Sequence, residues 1–170
     1  MLRLQPCYAQ IALAPAAPRP YVPACQPDAW CVRVAARETR AMRDTPFSKA
    51  DTLDFFGGYV ACALWSTPDD DGGFLDNRFS EDDIDPETQR AMWEDCSRFL
   101  RENVADLAEM MEKTDATMET LGHDFWLTRN GHGTGFWDRG AEEVGERLTE
   151  AAHAFGGFDL YIGDDGRIYA

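Results

Sequence analysis

The sequence predicts an α+β fold, with helices packed on a small antiparallel sheet built from two C-terminal hairpins. Three observations point there. Asp85-Pro86-Glu87 opens an apolar stripe that recurs every three to four residues, the pattern of an amphipathic helix with a capped start. Two aromatic runs, "HDFWLTRN" and "FWDRG", flank the short glycine-rich segment Asn130-Gly131-His132-Gly133-Thr134-Gly135 and read as a hairpin. The closing run "FDLYIGDDGRIYA" reads as a second hairpin around Asp164-Asp165-Gly166, because Asp and Gly tolerate positive φ.

Taken in order, residues 1–46 hold seven of the nine prolines and are expected to form a loosely ordered arm, since proline forbids a long helix there. Within the arm, "AWCVRVAARETRAMRD" suggests a short strand and a helical turn. Residues 47–170 are expected to form one acidic α+β domain. Ser48 is a candidate N-cap for a helix with Phe56, Tyr59, Val60, Ala63 and Leu64 at helical spacing. Gly57-Gly58 interrupts it, and paired glycines that weaken a helix imply close approach by another backbone. The helix that starts at Pro86 is expected to run past Leu107, burying Trp93, Cys96, Phe99 and Leu100. A short helix is expected to end at Leu121, with Gly122 as the residue after it. In the first hairpin Trp126 pairs with Trp137 and Asp124 with Arg139, an aromatic contact and an opposite-charge pair. "GAEEVGERLTEAAHAFGG" then reads as a helix with Val144, Leu148, Ala151, Ala152 and Phe155 inward and Gly156 as its stop.

Charge narrows the function. The chain carries −15, unevenly: residues 1–49 have seven Lys/Arg against three Asp/Glu, and residues 50–170 have nine against 28. A body of net −19 repels phosphates, so direct nucleic-acid binding is disfavoured. Two readings fit: a solvated surface kept soluble by its charge, the commoner case, and a face that imitates nucleic acid and occupies a basic groove on a partner protein. The candidate face is Asp69, Asp70, Asp71, Asp76, Glu81, Asp82 and Asp83, in the loop "TPDDDGGFLDNRFSEDDID". That loop resembles a calcium site only in composition, because no register places ligands and glycine as an EF-hand requires. Five cysteines, odd in number and without CxxC spacing, argue against a disulfide framework or a zinc site and fit a reducing cytoplasm. No apolar run approaches the ~18 residues of a membrane span, and the apolar stretch near the start is short and broken by proline, unlike a secretory signal.

The alternative is a small enzyme or a nucleotide- or phosphate-binding domain centred on residues 129–139. Arg129, Asn130, His132, Asp138 and Arg139 gather there, with the Thr134 hydroxyl and three glycine N–H groups. Histidine moves protons near neutral pH, arginine clamps anions, and glycine-rich backbone cradles phosphate. No nucleophile elbow, P-loop, HExxH or nuclease pattern accompanies them, and His123, Asp124, His132 and Asp138 match no metal template. No metal or cofactor is expected.

"GHDFWLTRNGHGTGFWDRG", with "LTEAAHAFGGFDLYIGDDGRIY" and the earlier "YVACALWST…DDDGGFLD", resembles a family of uncharacterised small proteins encoded by bacteriophages and related mobile elements. The resemblance covers roughly residues 50–170. Family versions often carry Ala where this chain has Thr134, which argues against a catalytic hydroxyl there. What the resemblance implies is a setting only, an accessory protein in the cytoplasm of an infected bacterium; small acidic proteins in that setting often act by binding a host or phage protein such as a defence or DNA-processing factor.

Overall fold

The computed structural model describes residues 47–170. The proline-rich arm, with its suggested strand and turn, lies outside them. The described residues form five helices and a small two-stranded antiparallel sheet at the C-terminal end.

Helix α1 spans Lys49–Ser66 and starts as expected: the Ser48 side chain accepts from Asp51 N, and the Asp51 carboxylate accepts from Ser48 N. This reciprocal box satisfies two of the donors that a helix start leaves open. Helix α2, Pro86–Glu102, is capped by Asp85, whose carboxylate accepts from Glu87 N and Thr88 N, with proline in the first turn. It buries Trp93, Cys96, Phe99 and Leu100, as its periodicity predicts. It does not run past Leu107. Asn103, with φ −119 and ψ 26, leaves the helical region, and its side-chain Nδ2 donates to Phe99 O; a separate α3 follows over Val104–Thr114. The apolar stripe continues across this break because both helices face one core, so periodicity could not reveal it.

The segment read as the first hairpin is helical. Helix α4 spans Met118–Arg129, so Gly122 lies inside it rather than after it, and Trp126 does not pair with Trp137. Nine of its twelve residues are buried, from Met118 to Arg129. A helix whose buried residues surround it, polar Asp124, Thr128 and Arg129 among them, shows no amphipathic period, and its aromatic content then mimics a strand. α4 lies against α1. A Cβ at Gly58 would fall 2.1 Å from Glu119 O, and one at Gly122 would fall 2.0 Å from Phe55 O. Each helix thus uses a glycine to admit the other's backbone, which confirms the close packing expected at Gly58. The buried Trp126 Nε1 donates to Ser66 Oγ at 2.8 Å across the same pair.

Around this crossing sits an aromatic core. Phe99 and Phe125 stack with centroids 4.1 Å apart, Phe136 stacks on Phe99 at 5.6 Å, and Tyr59 meets Trp126 edge-on at 5.1 Å. Helix α5, Glu142–His153, adds Val144, Leu148 and Ala152, while Ala151 and Phe155 are only half-buried. Gly156, at φ 71, turns the chain away from α5 as expected. Strands β1, Tyr161–Ile162, and β2, Ile168–Tyr169, pair Tyr161 with Tyr169 and Ile162 with Ile168 around the Asp164-Asp165-Gly166 turn. One of the two expected hairpins is therefore present, as two-residue strands, and the helices pack mainly on one another.

Candidate functional site

The glycine-rich loop is the end of a helix. Gly131 N donates to Thr128 O at 3.1 Å and His132 N to Leu127 O at 2.9 Å, with Gly131 at φ 69. This is the Schellman arrangement, in which a left-handed residue lets two N–H groups satisfy the last carbonyls of a helix. Asn-Gly marks a tight hairpin and a helix stop equally well, because both need positive φ. Asn130 spans the junction: Nδ2 donates to Trp126 O, and Oδ1 accepts from Phe158 N at 2.7 Å.

Beyond the stop, Phe136 N donates to Thr128 Oγ1 at 3.1 Å and the Phe136 ring fills the core. A short turn of 3-10 helix, Phe136–Asp138, follows, with Thr134 Oγ1 donating to Asp138 Oδ2 at 3.0 Å. Arg139 then grips Asp124 with both ends of its fork, Nε to Oδ2 at 2.8 Å and Nη2 to Oδ1 at 2.7 Å. The opposite-charge pair read from the sequence is present, joining a helix to a loop instead of two strands. The fully buried Asp124 carboxylate holds the Arg139 pKa above its usual value, by hydrogen bonding first and then by charge, against a lowering effect of burial.

Arg129 points inward. It donates from Nε to Gly156 O at 2.9 Å, from Nη1 to Tyr59 Oη at 2.8 Å and to Asp95 Oδ2 at 3.0 Å, and from Nη2 to Phe155 O at 3.3 Å. The rings of Phe125, Phe155 and Phe158 surround its guanidinium at 5.2–5.8 Å. A buried cation with charge, carbonyl and ring partners is a structural tie between α1, α2, α4 and the chain after α5. His132, Gly133 and Thr134 lie exposed. The five candidates are thus divided: Arg129 and Asn130 hold elements together, Arg139 holds Asp124, and His132 and Asp138 face solvent. His132 does not converge with an arginine on a cleft, the arrangement on which the enzymatic reading depends. A cleft of about 280 Å³ lies elsewhere, lined by Glu87, Thr88, Ala91, Gly157, Phe158, Asp159 and Ala170. The partners of Arg129, Tyr59 and Asp95, carry no local sequence signal that links them to it.

The acidic loop is more ordered than its composition suggests. Asp69 is buried and meets Arg78 Nη1 at 3.1 Å; Asp71 meets the same nitrogen from the exposed side. Asp69 N donates to Gly73 O and Leu75 N to Thr67 O, so the chain doubles back over residues 67–75. Arg78 is the one cation between residues 67 and 89, a signal the sequence did offer. Asp83 closes a box with Ser80, whose N and Oγ donate to Oδ2 at 2.8 and 2.9 Å. Asp70, Asp71, Asp76, Glu81 and Asp82 remain exposed. Glu81 is exposed overall but partly packed against the fold; that partial burial, and then the neighbouring Asp82, raise its pKa, and a hydrogen bond from Gln89 partly offsets them.

Among the described residues no group of three or more His, Cys, Asp and Glu is placed to hold a metal ion. Cys62 and Cys96 are free and buried; Cys7, Cys25 and Cys31 lie outside the described residues. No described helix is long and apolar enough to cross a membrane. No protein-family model, curated protein or solved structure matches the chain.

Proposed function

We propose that this is a small acidic accessory protein of phage type that works by protein–protein interaction. Its exposed carboxylates occupy a basic surface on a host or phage protein, in the manner of nucleic acid, and so block a defence or DNA-processing factor. One observation carries this reading. Of the nine Lys/Arg in residues 50–170, seven are spent on carboxylates of the same fold: Arg78, Arg90, Arg98, Lys113, Arg129, Arg139 and Arg147. The surplus of acid therefore faces solvent with few cations to neutralise it. Such a field steers a basic partner and repels nucleic acid.

The loop of residues 69–83 supports the reading. Buried Asp69, and Asp83 in its box with Ser80, fix the backbone, and Asp70, Asp76, Glu81 and Asp82 are left outward on a held frame. Preorganised charge binds at a smaller entropic cost than charge on a loose chain. The test is capture of partners from host lysate on the immobilised protein, washed at rising salt. Partner retention should fall steeply with salt, since contacts between exposed charges are screened within ~10 Å at 0.1 M. The variant Asp70→Asn, Asp76→Asn, Glu81→Gln, Asp82→Asn should lose the partner and keep a native circular dichroism spectrum. Full retention by that folded variant would remove the proposal.

A further inference from the structure

Helix α1 has an outer face that nothing in residues 47–170 covers. Leu53, Gly57, Ala61 and Trp65 follow one another at intervals of four and are all exposed, Leu53 at 48% and Trp65 at 44%. Pro68 continues the strip, and Phe74, also 48% exposed, is bridged to it. Asp54 is the only charged side chain beside the strip between Asp51 and Pro68, in a chain that carries −15. A solvent-facing side of a surface helix is normally polar, so a strip of this length marks a contact face.

Gly57 adds an independent observation. Its neighbour Gly58 is explained by the Glu119 backbone, but a Cβ on Gly57 would meet no heavy atom within 4 Å. Glycine inside a helix lowers its stability, and no contact within the described residues requires it here. What it offers is close approach by a backbone from outside, with Ala61 one turn on as the second small residue. The fold already makes one such crossing, at Gly58 and Gly122.

We infer that the occupant is α1 of a second copy, packed antiparallel to form a two-fold dimer. The strip matches itself in that direction. A two-fold axis midway between positions 57 and 61 sets Leu53 against the partner's Trp65, and Gly57 against the partner's Ala61. Small residues then meet at the centre, where backbones approach, and large ones close both ends. Charge agrees with the direction as well. The last turn of α1 has no basic residue, and exposed Asp70 lies just beyond it. Antiparallel packing brings the partner's exposed Lys49 to that carboxylate and to the negative end of the helix dipole. Leu53, Gly57, Ala61 and Trp65 lie on α1, and Pro68, Phe74 and the Asp70 contact reach into the acidic loop, so the Ala61→Glu and Trp65→Glu variants separate dimerisation from the proposed blocking activity.

The interface is small. An 18-residue helix is about 27 Å long, and two such faces fall at the low end of interface size, where association is weak. Sedimentation equilibrium of the full chain should therefore show the mass rising from 19.1 kDa toward twice that value between about 5 and 500 µM. Ala61→Glu and Trp65→Glu should stay monomeric with unchanged circular dichroism. Lys49→Glu and Asp70→Lys should each weaken association about fivefold or more, and the two together should restore it to within about twofold, since the swap recreates the pair. A wild-type monomer throughout that range would overturn the inference. So would a folded Ala61→Glu that still dimerises, or a double swap no better than its single changes.

Discussion

The Asp124 carboxylate is fully buried and held by both arms of the Arg139 guanidinium, at 2.8 and 2.7 Å. Arg139 closes the loop after α4 back onto the middle of that helix. Removing it strands a charge in the core. A fully buried pair broken in this way costs about 3–5 kcal/mol, but the Arg139 side chain is 37% exposed and water can reach part of the site. Arg139→Ala should therefore destabilise by about 2–3 kcal/mol in urea titrations. Asp124→Asn in the same background should recover part of the loss, as the stranded charge is then gone.

Gly58 and Gly57 should behave in opposite ways. Gly58→Ala puts a methyl group 2.1 Å from Glu119 O, a backbone atom that moves only if α1 and α4 separate. Overpacking of this kind costs about 1–3 kcal/mol or more. Gly57→Ala meets open space and should stabilise the monomer by up to about 1 kcal/mol through helix propensity. Thermal melts of the two variants, recorded at a concentration where the chain is monomeric, decide the matter.

Phe99 is completely buried and stacks on both Phe125 and Phe136. Phe99→Ala should cost about 3–5 kcal/mol, the usual range for a large aromatic removed from a core. His132→Ala, on the exposed helix stop, should stay within about ±0.5 kcal/mol by the same measurement. A loss of 2 kcal/mol or more from His132→Ala, on the order of a broken buried contact, would show that the loop carries a contact absent from this geometry.

The buried thiols set a pH signature. Burial, and then the charge of Asp124, push the Cys62 thiol up to about 12; burial raises Cys96 well above its usual range. Both thiols should be inert to a thiolate-selective reagent at pH 8 in the native protein and react once it unfolds. In a variant with Cys7, Cys25 and Cys31 replaced by Ser, the native reaction should be close to zero. The sign for stability follows. A thiol whose folded pKa is raised contributes fully below the unfolded value near ~8.5, and stability declines as pH climbs from there toward about 12. A flat stability profile from pH 8 to pH 11, the range over which an ordinary ~8.5 thiol ionises, would contradict this burial.

Much of the fold is local and could be read from the chain. Ser48 and Asp85-Pro86 mark helix starts because a side-chain oxygen must satisfy open N–H groups within three residues, and Asp165-Gly166 marks a turn because the conformation is set by the residues in it. The burial of Trp93, Cys96 and Phe99 follows from spacing on one helix face. The Asp124–Arg139 pair is present, but the hairpin register that predicts it is not; the loop after α4 folding back on that helix brings the two charges together. The structure of "HDFWLTRN" was not legible. Locally it is aromatic and ends in Asn-Gly, which suits a strand and a hairpin turn. Only the fit of Gly122 against α1 and of Trp126 against Ser66 makes it a helix buried on every side, with Gly131 as its stop. The same tertiary contacts turned Arg129 from a candidate ligand group into a core tie, through Tyr59, Asp95 and two carbonyls. Tyr59 and Asp95 stand 70 and 34 positions away in the chain. Charge and caps are written residue by residue, but whether an arginine faces water or the core depends on partners that only folding brings within reach.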